Sequence, residues 1–225
     1  MNKKCVYTVI TNNYCDLNDN NIKSNGWDYI CFTDNRNIKS KFWKIIYIDN
    51  NSKNEIDHIK LSKEYKTQVL KHLNKYGVYL YIDGRIKIIK DINEYLKRLD
   101  NKDIVFMKHR QKSIKDQFNV IVENKYDKKE IIEKIKERHK EFGYEYNNGL
   151  IEGGVILFKN NERVKKFFDD WWFEIKNYSH RDQLSANFAI FLNPELKYLI
   201  TKNPIYDSPK YFSLLKRKKS RFKIK

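Results

Sequence analysis

Cysteine is scarce in this chain and confined to one end: Cys5, Cys15 and Cys31 are the only three among 225 residues. Their odd number, the lack of a C-x-x-C pair and the lack of a histidine at ligand spacing exclude a disulfide scaffold and a zinc module. Three reduced thiols in a cytoplasmic protein are the expectation. Long apolar runs are missing too. No stretch approaches the roughly 18–20 residues that a bilayer span needs, so no transmembrane segment is expected. The opening MNKK leads into only a few apolar residues before TNNYCD, which does not make a signal peptide. Acidic residues are outnumbered: 46 Lys and Arg against 29 Asp and Glu leave a formal charge of +17.

What is present is a folding composition. With 40% hydrophobic and 15% aromatic residues the chain can bury a core, and the 33% charged residues coat its surface. A single domain over residues 1–215 is the simplest division, followed by a basic tail at 216–225 that carries seven Lys or Arg and no acid. Such a tail suits peripheral contact with an anionic membrane or with nucleic acid, and it equally suits a solvated terminus. A positive field also concentrates an anionic substrate.

Apolar runs alternate with amphipathic stretches, the pattern of an α/β fold. CVYTVI (5–10), WDYICFT (27–33), WKIIYI (43–48), VYLYI (78–82), residues 104–107, VILF (155–158) and residues 198–200 read as strands. Residues 56–76, 91–99, parts of 113–141, 162–176 and 184–191 read as helices, the fourth with an aromatic stripe of core type.

Two stretches concentrate chemistry. NNGLIEGGVILF sets Glu152, Gly153 and Gly154 before a buried strand, in what reads as a loop whose backbone a partner approaches closely. SHRDQL places Arg181, Asp182 and Gln183 side by side, a polar set in which the arginine suits a phosphate. Ligands of open α/β sheets bind at the carboxyl ends of strands. That places Tyr7 and Thr8 with the following Asn12, Asn13 and Tyr14, Asp34 after the second strand, and Asp83 after the fourth. Gly84 permits a turn there, and Arg85 follows. Asp83 is the one carboxylate of an incomplete Asp-x-Asp, since Tyr81 stands at the first position; Mn²⁺ or Mg²⁺ held by Asp83 against a diphosphate is the cofactor expectation. Asp34 and Asp83 are also ordinary turn residues. Lys63 and Lys66 reach a diphosphate if their helix lines the cleft, and His109 sits at a strand end.

Seven landmarks in order, CVYTVITNNYCDL, GWDYICFTDN, WKIIYID, YLYIDGRIKI, NNGLIEGGVILFKNN, KKFFDDWWFEI and SHRDQLS, resemble the glycosyltransferase-like domain family of plant turgor-regulation-defect and mucilage-related proteins, which has bacterial and viral single-domain relatives. The resemblance implies a GT-A-like Rossmann-type sandwich, a mixed central sheet flanked by helices. It implies transfer of a sugar, hexosyl or deoxyhexosyl, from a nucleoside-diphosphate sugar, a UDP-sugar first among them, to an acceptor hydroxyl on a glycan. Tyr7, Thr8 and Asp34 would then hold the nucleoside, while Asp83, Lys63, Lys66 and Arg181 hold the diphosphate. Gly153 and Gly154 would admit the donor sugar, with Glu152 or Asp182 on its hydroxyls. The family's Asn after the glycine turn is Arg85 here, an arginine that would offset phosphate charge.

An inverting reaction would use Asp182 or Glu152 as base; a retaining one needs none. Two rival classes remain open. A basic nucleic-acid-binding protein fits the charge, although the aromatics fall on core stripes and no binding module is present, so no specific nucleic acid is expected. A nucleotidyltransferase shares the fold class, but TNNYCDLND has no Gly/Arg/Lys-rich loop.

Overall fold

A computed structural model describes residues 3–111, 113–146, 149–204, 210–216 and 222–224. The two asparagines that open NNGLIEGG, and most of the basic tail (217–221 and 225), lie outside the described residues. In chain order come β1 (Lys4–Ile10), β2 (Trp27–Thr33), β3 (Lys44–Tyr47), α1 (Glu55–Thr67), α2 (Val69–His72), β4 (Val78–Ile82), β5 (Ile86–Ile88) and α3 (Asn93–Leu96). Then follow β6 (Ile104–Lys108), α4 (Ile114–Glu123), α5 (Lys129–Glu141), β7 (Ile151–Lys159), α6 (Glu162–Asn177), α7 (Gln183–Phe191), β8 (Tyr198–Ile200) and β9 (Phe212–Leu214).

Seven strands form one mixed sheet in the order β3-β2-β1-β4-β7-β6-β8. β1 pairs in parallel with β2 and β4, and β6 with β8, whereas β7 runs antiparallel to both its neighbours. The order reverses at β1, so a crevice at the carboxyl ends of β1 and β4 is the expected ligand position of such a sheet. Side chains alternate across the pleat. Cys5, Tyr7 and Val9 of β1 join the core under α1, α2, α6 and α7, while Val6 and Ile10 join Leu80, Ile82 and Tyr95 on the other face. The α6 stripe is core as its spacing requires: Phe167, Phe168 and Trp171 are buried, each such side chain contributing about 1.5–3 kcal/mol. Local signals set the helix starts. The side chains of Asn54, Ser113 and Asn161 accept from backbone N–H groups three residues on, capping α1, α4 and α6.

Three expectations need correction. The helix over residues 56–76 is broken after Thr67, because Gln68 leaves the helical region and turns its buried amide to the Phe168 carbonyl. The helix over 91–99 shrinks to α3 and a 3-10 turn at Lys97–Leu99. β5 lies outside the central sheet and pairs antiparallel with β9.

The third correction concerns Glu152, Gly153 and Gly154, which belong to β7 rather than to a loop before it. Between Phe106 and Met107 the β6 register jumps from Ile156 to Glu152, so Gly153, Gly154 and Val155 stand opposite no β6 residue. Glycine suits such a bulge, where the ladder is interrupted and the backbone bends.

Candidate active site

The ends of β1, β2, β4 and β6 and the beginning of antiparallel β7 meet along one edge of the sheet, carrying Thr11, Asp34, Asp83, His109 and Glu152. Asp182, which precedes α7, reaches the same edge. Its Oδ2 accepts from Lys63 Nζ at 2.9 Å and from Lys66 Nζ at 2.5 Å. Burial alone would raise the Asp182 pKa, yet the two ammonium groups outweigh it and hold the carboxyl far below its ordinary range. Lys66 is pulled down by burial against the opposing charge of Asp182, while for Lys63 the carboxylate wins over burial and the pKa rises.

Lys66 is only 2% exposed. Its Nζ lies 5.1 Å from the Tyr81 ring centre and 4.9 Å from that of Trp171, so two aromatic faces and one carboxylate share its charge. Tyr7 and Trp171 fix the main chain around it: the Tyr7 hydroxyl donates to the Lys66 carbonyl at 2.6 Å, and Trp171 Nε1 donates to the Asp182 carbonyl at 3.1 Å. Gly153 is the floor. A Cβ there would stand 2.6 Å from Lys66 Nζ and 3.3 Å from Asp182 Oδ2. The close approach expected of this glycine is real, and what approaches is the ion pair.

Glu152 lies beside this knot. Burial, and then the Asp182 charge, push its pKa up, opposed by Lys66 and Lys63 and reinforced by Asp83. His109 Nδ1 accepts from the Gln111 N–H at 3.0 Å, which leaves Nε2 as the protonated nitrogen of the neutral ring, and that nitrogen faces Glu152 Oε2 at 3.7 Å. Asp83 anchors its own loop: its N–H donates to the Gly154 carbonyl at 2.8 Å and its Oδ1 accepts from the Arg85 N–H at 3.2 Å. Asp83, Glu152 and Asp182 therefore converge, each within electrostatic reach of Lys63 and Lys66.

Other expected residues are placed differently. Tyr7 and Thr8 are buried in the sheet, and neither presents a surface. Asp34 accepts the Asn12 N–H through both oxygens at 3.1 Å and is also bonded by the Asn50 amide, holding Asn12 and Asn13 at φ of 52° and 51°. Gly84 has no positive φ; it is needed for space, since a Cβ would meet Cys15 Sγ at 2.7 Å. Arg85 Nε donates to the Tyr14 hydroxyl at 3.1 Å and Nη1 to the Leu215 carbonyl at 3.3 Å, tying the loops after β1 and β4 to the chain after β9. The Arg181 guanidinium covers the Tyr126 ring at 5.3 Å and lies near enough to Lys63 to lower its pKa. Gln183 opens α7, half-buried. Tyr81 and Trp171 are the partners that spacing did not reveal.

As metal ligands the described residues offer little: no group of three or more His, Cys, Asp or Glu is placed to hold an ion. Asp182 is engaged by two ammonium groups. No described helix is long and apolar enough to cross a membrane.

No family model matches the chain, and no curated protein matches it in sequence. The likeness to the plant family therefore rests on the sequence motifs alone. Solved structures do share the fold. Mouse xyloside xylosyltransferase 1, in its apo form, is similar at a TM-score of 0.50 and 11% identity, over 87% of this chain and 84% of that one. The apo structure of WbbM, a bifunctional glycosyltransferase, is similar at the same TM-score and identity, over 89% of this chain and 39% of that longer one. The mixed seven-stranded sheet flanked by helices is thus a fold found in glycosyltransferases.

Proposed function

We propose that this protein transfers a sugar from a nucleoside-diphosphate sugar to an acceptor hydroxyl. The observation that carries the reading is the convergence of Lys63, Lys66 and Asp182 with Asp83 and Glu152 at the switch point of a sheet shared with glycosyltransferases. Lys63, Lys66 and Arg181 gather three cations at this edge, and cations so placed are what stabilise a departing diphosphate. Lys63, with 19% of its side chain exposed, and Arg181 are the cations with surface to offer; buried Lys66 keeps Asp182 in place. Asp83 would hold Mn²⁺ or Mg²⁺, which would supply positive charge to offset that of the diphosphate. Asn12, Asn13 and Asp34 border the nucleoside. A UDP-sugar is the first donor to test, and hexose or deoxyhexose the first sugar.

Roles divide between the two carboxylates by their environments. Asp182, held far below its ordinary range, binds protons too weakly to serve as a base, so its work is positioning. Glu152, whose pKa is raised, is the better acceptor of a proton near neutral pH. The acceptor oxygen attacks the anomeric carbon, the bond from that carbon to the diphosphate oxygen breaks, and in a single displacement Glu152 takes the hydroxyl proton. In a reaction that keeps the anomeric configuration Glu152 instead holds donor hydroxyls, and the product anomer, read by NMR, separates the two. Thermal shift with UDP-, GDP- and dTDP-sugars, with and without Mn²⁺, tests the whole reading. Stabilisation by at least one nucleotide sugar is the expected result; none with any donor, combined with salt-sensitive RNA or DNA retention, overturns it.

A further inference from the structure

A concavity lies away from the charge knot, between α4, α5 and the segment after α5. It encloses about 690 Å³, within the usual ligand-site range of roughly 300–1,000 Å³. Lys115, Lys136 and Lys140 line it together with the rings of Phe118, Tyr144 and Tyr146, and Glu145 is the one acid on its walls. We propose that this cavity binds an anionic saccharide and, on the glycosyl-transfer reading above, holds the acceptor.

Aromatic faces in a basic pocket suit a flat C–H face of a pyranose below and a carboxylate or phosphate at its edge. The lysines already lie on the rings: Lys115 Nζ is 5.7 Å from the Tyr146 centre and Lys136 Nζ 5.6 Å from that of Phe118. Polar atoms remain unanswered at the same place. The Tyr144 hydroxyl is buried with no hydrogen-bond partner, and so are both nitrogens of His139, whose ring packs 5.3 Å from Tyr144 and 5.5 Å from Tyr146. Burial, with Arg138 adding to it, pushes His139 down to about 4, so the wall behind the rings is neutral and the field comes from the lysines.

One lining residue of the cavity, Phe118, packs toward the segments that carry the site. Phe118 and Ile114 pack in one cluster with Leu150 and Leu184, which stand two residues from Glu152 and Asp182. A sugar lying on Tyr146 would thus be bound by elements continuous with the two carboxylates.

Isothermal titration with cellobiose, cellobiouronic acid and glucose 6-phosphate tests the proposal. Both anionic sugars, or one of them, should bind at least tenfold more tightly than cellobiose, and whichever does distinguishes carboxylate from phosphate recognition. The double variant Lys136→Ala/Lys140→Ala should erase that preference, and Tyr146→Ala should weaken all three sugars about tenfold. UDP-sugar thermal shifts should be unchanged in both variants, which also reports that they fold. Equal binding of neutral and anionic sugars, a preference that survives loss of both lysines, or displacement of the sugar by UDP overturns the assignment. No sugar binding while UDP-sugars still stabilise the protein sinks this inference alone; anionic sugar binding without donor stabilisation sinks the transferase reading alone.

Discussion

Asp103 and Asp182 stand at opposite edges of the same sheet, and cations answer them differently. Asp103, just before β6, is saturated: Oδ1 accepts from Arg163 Nη2 at 2.7 Å and Asn161 Nδ2 at 2.8 Å, and Oδ2 from Arg163 Nε at 2.8 Å and the Lys197 N–H at 2.9 Å. One negative charge meets one guanidinium, whose side chain is 46% exposed. Asp182 meets two ammonium groups on a single oxygen, Lys66 buried and Lys63 part-exposed. The first arrangement is closed and holds β6, α6 and the approach to β8 together. The second shares its two cations with Asp83 and Glu152 at the edge where a ligand of this sheet belongs, which is why only one of the two reads as a candidate site.

Removing the carboxylates tests that contrast most severely. Asp182→Asn leaves Lys66 without its counter-charge and should cost on the order of 3–5 kcal/mol, with loss of donor-induced stabilisation. Asp103→Asn should cost less, on the order of 1–3 kcal/mol, because Arg163 regains water, and it should leave the donor shift intact. Urea midpoints and donor thermal shifts measured side by side decide it; equal losses in both variants would erase the distinction. Both carboxyls sit below their ordinary pKa, Asp103 chiefly through its hydrogen bonds from Arg163. Their stabilisation is therefore complete above about pH 4 and fades as pH falls below it.

Glu152→Gln carries the next effect and the opposite stability sign. A raised carboxyl pKa means the folded protein disfavours the charge, a penalty present at neutral pH and relieved as pH falls through that pKa. The variant should melt no lower than the parent while turnover drops about 10²-fold or more. The acid limb of the parent's rate profile should lie above the usual glutamate range. A variant that loses stability and keeps its rate returns the proton-accepting role to Asp182.

Gly153→Ala sharpens the comparison on the steric side. Lys66 is pinned by Asp182 and two rings, so the new methyl must displace it, at a cost of roughly 1–3 kcal/mol read from the urea midpoint. No change would show that the ammonium is loosely held. Smallest is Lys63→Ala, expected to raise the donor KM about tenfold, or ~1.4 kcal/mol, with little change in melting. Asp83→Asn should abolish any Mn²⁺ enhancement of donor binding; enhancement that persists moves the ion elsewhere.

Much of the fold was legible because β1, β2 and β4 are unbroken apolar runs ended by turn residues, and α6 carries its aromatic stripe at helical spacing. The site was legible only as a set of separate carboxylates and lysines. Lys66 and Asp182 are 116 residues apart, and no local pattern tells a solvated lysine from one sealed between Tyr81 and Trp171. Glu152 was placed in a loop because two glycines suggested one; a bulge uses the same residues inside a strand. Asp34 illustrates the reverse case, since holding the Asn12 turn is a local task that its position after β2 already allowed. Asp103 has no local signature, as its partners come from two distant segments, residues 161–163 and Lys197.

The bulge in β7 has a consequence for how such a protein can diversify. Inward of it, Val155 to Lys159 are registered against β4, and the core depends on that alignment. Outward of it, Glu152 and Ile151 take their register separately from Met107 and Lys108. Insertions or deletions at the two intervening glycines can therefore re-aim Glu152 as a unit while the hydrophobic interior keeps its frame. The strand works as a hinge of variation, and changes of substrate preference among proteins built this way should accumulate there before they reach the sheet.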